Sequence, residues 1–381
     1  MKVRATRAAF QSALQTVCGA ISSTNSIAAL SHVLIKANDS GIEFNATDLE
    51  LLLQTKVEAE VKEAGNCLLP AQKFQNLVQT LPSPDTVVEL NLKNNRMEVL
   101  VDETNSNFKL PVLSENDFPD MKEKHLQSDS PEIISFSMET ELLHRMLKNT
   151  QFAASTDASR SYLGGVLFDF NQESLKVVAT DTHRLALYQT TDYKLGSGSS
   201  EYIKPVLLPL KPVKELIKIL PDEGIVEIKT DGKMAMVSFD DTFMITRLID
   251  DDFPSYEQVI PDEADFQNRI NLDRQRLLNC VNRVTLLADD RTKKLLLEFG
   301  HSELAVMVED SEEGMGVEKI SIENPGDEMT IAFNGDYLAE ILKYIEDDQI
   351  CLDLISSDNS GTFRPVEAGN YLYLVMPMRL S

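Results

Sequence analysis

The chain has 381 residues, more than one ordinary hydrophobic core accommodates, so two or three domains are expected. With 43% hydrophobic and 25% charged residues its composition is that of a soluble globular protein, and no segment approaches the roughly 20 apolar residues of a membrane span. The formal net charge of −25 argues against a surface that binds nucleic acid through an overall positive charge. Any contact with nucleic acid therefore depends on where the basic residues lie.

The first predicted element is a strand that leads into a helix, and this pattern occurs three times. In each copy the helix carries buried-type residues at the i, i+3, i+4, i+7 spacing of one helix face. The three sets are Val3 with Phe10, Ala13, Leu14 and Val17; Phe136 with Leu143, Met146, Leu147 and Thr150; and Ile270 with Leu277, Cys280, Val281 and Val284. The copies start 133 and 134 residues apart, so three repeats account for nearly the whole chain.

A second helix follows in each repeat, and short alternating segments typical of strands lie between the helices. The predicted helices span residues 6–21, 70–81, 138–155, 209–220, 273–289 and 334–345. The clearest strand segments are Ile42–Phe44, Val87–Leu92, Val226–Ile228 and Leu295–Phe299. The sequence therefore predicts an α+β fold of three similar domains, 1–128, 129–258 and 259–381, each with two helices among antiparallel strands. Polar linkers are expected near 121–132 and 259–269, and an exposed loop at Gly196–Ser200.

The predicted helices differ in charge from the rest of the chain. They hold eleven basic and seven acidic residues, a net charge of +4, which leaves −29 for everything else. A charged stripe on one helix is usually only a solvated face, but six helices that oppose the remaining chain in sign form a stronger pattern. If the helices line a common surface, that surface binds phosphates without sequence preference and weakly enough to slide. Retention on DNA would then depend on topology.

The four cysteines are scattered, without a CxxC pair or histidines at metal-ligand spacing: Cys18, Cys67, Cys280 and Cys351. A disulfide framework and a zinc site are therefore not expected, and buried thiols in a reducing cytoplasm fit better. Residues 1–38 lack acids and carry Arg4 and Arg7, which resembles a transit peptide, but the first repeat includes this segment. No cofactor is expected.

Two motifs resemble one protein family. Residues 180–186, TDTHRLA, resemble the TDGHRLA signature of the beta subunit of bacterial DNA polymerase III, and residues 375–380, VMPMRL, resemble that family's terminus. The threefold repeat matches the family's three-domain protomer. Thr182 stands where the family usually has glycine, and Gln258 where a basic residue can occur, which puts the peptide preference in doubt.

The resemblance implies a sliding clamp: a head-to-tail homodimer that closes into a ring around double-stranded DNA, with helices lining the hole. A heterologous interface that closes after two copies gives a ring. The implied dimer interface involves Phe108, Leu286 and Leu287, although all three could be ordinary core residues. The residues expected to face DNA are Arg7, Lys73, Arg145, Lys148, Arg160, Tyr162, Lys211, Lys214, Lys218, Arg276 and Arg283.

The resemblance also implies a hydrophobic groove between the second and third domains, in which partner proteins insert a short apolar peptide. The matching residues are Leu163, Thr180, Thr182, His183, Arg184, Leu185, Pro254, Val259, Leu374, Met376, Pro377, Met378 and Arg379. Methionines offer a deformable surface, and Arg184 and Arg379 are expected to bind peptide carbonyls or a carboxylate. Alternatively, the terminal residues form a sheet-edge strand. The implied partners are the polymerase III alpha subunit, the clamp loader complex, repair polymerases, ligase and mismatch repair proteins, with no membrane contact.

Two other functions are compatible with parts of the sequence. An enzyme could use Asp181 and His183, which project to the same face of a strand, as a general base pair or part of a metal site. With five histidines and no GxSxG, P-loop or HExxH motif, the sequence favours a non-catalytic protein. A clamp-like paralogue outside replication is compatible with every motif above, and depletion in cells would separate it from the replicative clamp.

Overall fold

The computed structural model describes residues 1–21, 27–119, 126, 133–170, 172–196, 204–311, 314–367 and 369–380, with only the backbone at 310 and 311. Most of the linker predicted at 121–132, and residues 197–200 of the loop predicted at Gly196–Ser200, lie outside this part of the chain. Within it, no helix is both long enough and apolar enough to cross a membrane.

In the described part of the chain, six α-helices form where the sequence predicts them. They are α1 (Arg7–Val17), α2 (Ala71–Gln79), α3 (Thr140–Lys148), α4 (Leu210–Ile219), α5 (Arg274–Thr285) and α6 (Gly335–Tyr344). Some predicted ends are too long, because short 3-10 turns at Cys18–Ala20 and Gln151–Ala153 continue α1 and α3. The predicted start at 138 is wrong, because Met138 and Glu139 still belong to a strand in which Phe136 and Met138 are buried on one face.

The helices begin at side-chain caps that recur between repeats. The Thr6 hydroxyl accepts a hydrogen bond from the Ala9 N–H at 3.2 Å at the start of α1. At the matching position of the third repeat, Asp273 Oδ1 accepts from the Arg276 N–H at 2.7 Å. Each cap satisfies a backbone donor that the first helical turn leaves free, which fixes the point where strand becomes helix.

The strands pair antiparallel in four sheets. A five-stranded sheet has the order β5 (Glu60–Glu63), β1 (Lys2–Thr6), β7 (Val87–Lys93), β8 (Arg96–Val101), β9 (Ser106–Pro111). A nine-stranded sheet has the order β14 (Lys194–Leu195), β10 (Ile134–Glu139), β16 (Ile225–Thr230), β17 (Met234–Phe239), β18 (Thr242–Arg247), β4 (Leu51–Val57), β3 (Gly41–Thr47), β2 (His32–Asn38), β6 (Gly65–Pro70).

The other two sheets lie in the C-terminal part of the chain. An eight-stranded sheet has the order β15 (Val206–Pro209), β11 (Gly165–Phe170), β12 (Leu175–Thr180), β13 (Arg184–Thr190), β26 (Tyr371–Val375), β25 (Gly361–Pro365), β24 (Gln349–Leu354), β19 (Asn268–Asp273). A four-stranded sheet has the order β22 (Gly314–Ser321), β21 (Glu303–Ser311), β20 (Lys294–Phe299), β23 (Met329–Asn334).

Two sheets are continuous across the predicted domain boundaries. β18 of the second repeat pairs with β4 of the first, and β13 of the second repeat pairs with β26 of the third. The chain consequently divides into two compact units, each of which takes part of the second repeat. Unit 1 comprises Met1–Leu143, Lys194–Glu201 and Lys214–Leu248, and unit 2 comprises His144–Tyr193, Tyr202–Val213 and Ile249–Ser381.

The repeated apolar positions form the core. All fifteen residues of the three strand–helix sets are at most 4% exposed, including Thr150, whose hydroxyl donates to the Met146 carbonyl at 2.8 Å. In the first repeat Phe10 packs edge-on against Phe44 and Phe74, with ring centroids 6.1 and 5.8 Å apart. The spacing in the sequence therefore marks the residues that pack in the core. Truncating one of them, such as Phe10, to alanine lowers the free energy of unfolding by about 3–5 kcal/mol.

Candidate functional site

The segment with the TDTHRLA sequence forms a tight turn between β12 and β13. Thr180 Oγ1 donates to the Arg184 carbonyl at 2.6 Å and accepts from the Thr182 N–H at 3.1 Å. Asp181 Oδ1 accepts from the N–H groups of His183 and Arg184 at 2.9 and 3.0 Å. These bonds place Thr182 in the left-handed region at φ +77° and direct the next residues into β13.

The C-terminal tail is hydrogen-bonded to this turn and to β23. β26 lies between β13 and β25, so it is an interior strand that ends at Val375. The terminal residues, for which a sheet-edge strand was the alternative, form only an isolated antiparallel bridge between Met378 and Ala332 of the edge strand β23. Beyond it the Met376 N–H donates to the His183 carbonyl at 2.8 Å, and the Met378 N–H donates to the Ala332 carbonyl at 2.8 Å. The tail therefore runs from the second repeat to the third, with the side chains of Met376 and Met378 partly exposed.

Arg184 is bound inside the protein. Its side chain is 9% exposed; Nε donates to Asp181 Oδ2 at 3.0 Å, Nη1 to Glu340 Oε2 at 2.6 Å and Nη2 to the Phe152 carbonyl at 2.9 Å. The guanidinium also lies over the Tyr337 ring, 4.6 Å from its centroid. Three donors of Arg184 are thus engaged within the chain, where they join the turn to α6 and to the segment after α3, and its contact with a peptide stays a prediction.

The remaining groove residues divide into a buried floor and an accessible rim. Leu163, Leu185 and Leu374 are at most 2% exposed. Leu185 and Leu374 belong to one apolar cluster with Leu167, Val178, Leu187, Leu207 and Tyr256, against which Ile249, Phe253, Ile260 and Leu372 pack. Tyr256 donates to Asp169 Oδ2 at 2.6 Å, which anchors the segment of residues 254–259 to β11. Pro254 and Val259 in this segment are exposed.

The rim consists of exposed or partly exposed residues around the turn and tail. They are Thr182, His183, Pro254, Val259, Met376, Pro377, Met378 and Arg379. The His183 ring stacks beside the Tyr337 ring at a centroid distance of 6.1 Å and an interplanar angle of 21°. The structure therefore brings the two sequence motifs together in unit 2, where two partly exposed methionines lie beside the turn and the neighbouring leucines are buried.

Sequence reasoning missed three residues of this site. Tyr337 and Glu340 share one face of α6, and Phe152 follows α3; all three contact Arg184. The i, i+3 spacing of Tyr337 and Glu340, at the border of the face that buries Leu338, Ile341 and Leu342, is the available signal. It identifies a solvent-facing or partner-facing stripe, without indicating which partner.

The alternative of a catalytic Asp181–His183 pair conflicts with the geometry. Both carboxylate oxygens of Asp181 accept hydrogen bonds from the backbone N–H groups of the turn and from the Arg184 side chain. The His183 ring is directed toward Tyr337. Asp181 therefore builds the turn and orients Arg184. In the described residues no three His, Cys, Asp or Glu side chains are grouped so as to hold a metal ion.

Several residues expected to face DNA have partners within the chain. Arg7 donates from Nε to the Val78 carbonyl and from Nη2 to the Gln79 carbonyl, both at 3.1 Å, so it caps the end of α2. Arg274 holds the matching position in the third repeat and donates to the Leu342 carbonyl near the end of α6 at 3.1 Å. These arginines join the two helices of a repeat and satisfy helix-terminal carbonyls.

Three further cations form ion pairs. Arg283 binds Glu318 of β22 through two nitrogens, which lowers the pKa of the Glu318 carboxyl; Lys218 lies 2.7 Å from Glu215; and Lys148 lies 3.4 Å from Glu346. Lys73, Arg145, Lys211, Lys214 and Arg276 are exposed, and Tyr162 is 37% exposed. Exposed ion pairs are worth about 0–1 kcal/mol, so such cations can exchange a carboxylate for a phosphate.

Arg160 is placed differently from the other basic residues. Its Nη1 donates to the Thr182 hydroxyl at 3.4 Å and its Nε lies 3.6 Å from Asp157 Oδ2. The structure thus brings a residue predicted to face DNA beside the rim of the groove.

The charge separation is larger with the observed helix ends. The six α-helices contain the same eleven basic residues but four acids, Glu141, Glu215, Asp336 and Glu340, a net charge of +7. The remaining chain carries −32. Three acids counted in the predicted helices, Glu139, Asp273 and Asp289, lie outside the helices, which sharpens the contrast.

Of the residues proposed for the dimer interface, Phe108 lies on an edge strand of the described chain, and Leu286 and Leu287 follow α5. Phe108 is 38% exposed on β9, the last strand of the five-stranded sheet, and Leu286 is 80% exposed at the end of α5. Leu287 packs on β22, an edge of the four-stranded sheet, where a Cβ at Gly316 would stand 2.9 Å from its Cδ1. The alternative that Phe108 and Leu286 are core residues is therefore wrong.

Comparisons with known proteins match the chain from end to end. Three family models of the DNA polymerase III beta subunit match this chain: the N-terminal domain model at residues 1–122, the central domain model at 137–255 and the C-terminal domain model at 257–379. The beta sliding clamp of Pseudomonas putida is 30% identical over 378 residues, 98% of each chain, and that of Chlamydia pneumoniae is 31% identical over 93% of this chain and 92% of the relative.

Solved structures agree. The sliding clamp of Pseudomonas aeruginosa bound to griselimycin has a TM-score of 0.91 at 28% identity, and the beta subunit of Thermotoga maritima has 0.88 at 25% identity; each comparison covers 100% of both chains. Over its whole length the chain belongs to the DNA polymerase III beta subunit family, and it is a sliding clamp, a non-catalytic processivity subunit with three clamp-fold domains.

Proposed function

We propose that two copies of this clamp close head to tail into a ring whose hole is lined by the six helices. The basic side chains proposed to face DNA from these helices are Lys73, Arg145, Lys148, Lys211, Lys214, Lys218, Arg276 and Arg283. The observation that carries the proposal is the charge separation of +7 on the helices and −32 elsewhere. An acidic exterior repels DNA, whereas a mildly basic lining makes exchangeable phosphate contacts. The ring is thereby retained by its topology while it slides.

The experiment compares retention on closed and open DNA. The clamp is loaded onto nicked circular DNA and onto linear DNA by a clamp loader complex with ATP, and bound protein is separated by gel filtration at raised salt. We expect retention on circles and loss from linear molecules, because only a linear molecule offers free ends. Equal retention on both would show that affinity, and not enclosure, holds the protein.

The proposed dimer contact joins Phe108 of one copy to Leu286 and Leu287 of the other. Supporting it, these residues stand beside β9 and β22, whose outer edges are unpaired within the described chain. Unpaired edges with exposed apolar side chains are suited to pairing with another chain. Met315 and Val317 on β22, 66% and 53% exposed, extend the apolar surface and were not identified from sequence.

The groove in unit 2 is the proposed docking site for partner peptides. Leu163, Leu185 and Leu374 form its floor, and Met376 and Met378 give it walls that adapt to several apolar side chains. The clamps of Pseudomonas aeruginosa and Bartonella birtlesii have been solved bound to griselimycin, so related clamps bind a ligand. The proposed partners are the polymerase III alpha subunit, the clamp loader, repair polymerases, ligase and mismatch repair proteins.

We further propose domain boundaries at 1–128, 129–258 and 259–381, and a cytoplasmic location. The matched ranges 1–122, 137–255 and 257–379 support the boundaries: the first junction falls in the gap between 122 and 137, and the second lies within three residues of the junction between 255 and 257. The location is supported by the four cysteines, which are free thiols and of which Cys67, Cys280 and Cys351 are buried, as suits a reducing compartment. No cofactor is required by this function.

A further inference from the structure

The turn that carries Thr182 occurs three times in the chain with the same hydrogen bonds. In each, a threonine hydroxyl accepts from the N–H two residues on, and the next aspartate accepts from the two N–H groups that follow. The copies are Thr47-Asp48-Leu49, Thr180-Asp181-Thr182 and Thr230-Asp231-Gly232. The third residue has φ +83°, +77° and +83° respectively. The left-handed conformation is therefore a property of the turn.

Thr182 is the least suitable of these residues for that conformation. A β-branched side chain at positive φ is strained, whereas glycine, present at 232, adopts it freely. Strain of this kind persists where the side chain has a function. The Thr182 side chain is exposed at the groove rim and makes one specific contact there, in which Arg160 Nη1 donates to its hydroxyl at 3.4 Å.

Arg160 is oriented from several directions at this rim. Its Nε lies 3.6 Å from Asp157 Oδ2, and Asp157 is itself fixed by the Ser159 N–H and hydroxyl at 2.9 and 2.8 Å. The Arg160 carbonyl accepts from the Leu163 N–H at 2.9 Å, which ties the loop to a floor residue. The Arg160 side chain is 43% exposed, so its guanidinium can still donate to a ligand.

We propose that Thr182 is a specificity-determining residue of the groove. Its hydroxyl holds the Arg160 guanidinium at the rim, where the guanidinium donates to a carboxylate or carboxamide of the bound peptide beside the apolar segment. Of the two arginines that contact the turn, Arg184 has the three donors described above engaged within the protein, so Arg160 is the one available to the peptide. The inference rests on the proposed peptide groove.

The test measures the binding of fluorescent peptides to the full-length clamp by anisotropy. Peptides with one common apolar segment carry Glu, Gln or Lys immediately before it or immediately after it, and a further peptide has Ala at both places. In one of the two series, substituted before or after the apolar segment, wild type is expected to bind the Glu and Gln peptides at least about threefold more tightly than the Lys peptide. A difference of this size corresponds to one additional hydrogen bond. Thr182→Ser should keep this preference.

The decisive variant is Thr182→Val, which keeps the branched shape but removes the hydroxyl. It should lose most of the preference, Arg160→Ala should lose it entirely, and the double variant should match Arg160→Ala. Full preference in Thr182→Val, or none in wild type, overturns the inference. An Arg160→Ala variant that keeps the peptide preference and loses only retention on circular DNA also overturns the inference. If even the Ala peptide binds no protein, the groove itself is wrong, which is a different outcome.

Discussion

Arg184 provides the sharpest test of how the groove is built. Replacing it by methionine keeps an unbranched apolar stem but removes three hydrogen bonds, to Asp181, Glu340 and the Phe152 carbonyl. Two of these involve charged pairs, and breaking a buried pair costs about 3–5 kcal/mol because the partner is left uncompensated. Glu340, whose side chain is 41% exposed, can rehydrate, which lowers the expected cost to about 3 kcal/mol.

The measurement is urea denaturation followed by far-UV circular dichroism, since the chain has no tryptophan. Arg184→Met should shift the transition of unit 2 to lower urea and weaken peptide binding through loss of the Tyr337 wall. Glu340→Gln, which removes only the exposed partner's charge, should cost less than about 1 kcal/mol. If Arg184→Met unfolds like wild type and binds peptide normally, Arg184 does not position the groove.

Four other outcomes are expected. Leu286→Asp should raise the dimer dissociation constant by roughly 30-fold in sedimentation equilibrium, while Ile225→Asp, an exposed residue outside the proposed interface, should not; equal effects would refute the interface. Reversal of the three lysines of α4 to glutamate should reduce loading on circular DNA about tenfold, and unchanged retention would contradict the lining by helices. Deleting residues 377–381 should abolish peptide binding with the dimer intact, so normal affinity would exclude the tail from the groove. The four thiols, whose pKa burial raises to about 12, should react with a disulfide reagent at pH 8 only after unfolding, and rapid reaction of the folded protein would contradict their burial.

Periodic features could be read from the sequence because each depends on local spacing. Val3, Phe136 and Ile270 start strand–helix units whose apolar positions are all buried, so the spacing alone located three cores. The charge difference between helices and the remaining chain was likewise a matter of counting. Features of this kind need no knowledge of which elements meet.

Contacts between distant segments could not be read in the same way. Arg184 and Glu340 are separated by 156 residues, and nothing in either local sequence indicates that they pair. The sequence predicts a peptide contact for Arg184, but it does not indicate that three of its donors are engaged within the chain. The pairing of β13 with β26 is also a contact between distant segments. The VMPMRL motif indicates a functional tail, but it does not indicate that β26 is an interior strand of a sheet shared by two repeats.

Thr182 combines both kinds of information. The Thr-Asp turn is visible in the sequence at three places, yet only the backbone angle of +77° reveals that a β-branched residue occupies a position suited to glycine. Only the fold reveals that Arg160, 22 residues earlier, reaches its hydroxyl. The assignment of Arg160 to DNA followed from its charge, and its place at the rim follows from the fold.

The central claim is that enclosure retains the clamp on DNA, and the most direct measurement is its release when a circle is opened. Clamps loaded on a singly nicked circle are followed while a restriction enzyme cuts the DNA once, in parallel with molecules whose ends carry bulky protein blocks. The account predicts rapid loss after cutting, no loss while the circle is intact, and retention on cut DNA with blocked ends. Clamps that stay on cut, unblocked DNA as long as on intact circles would contradict it.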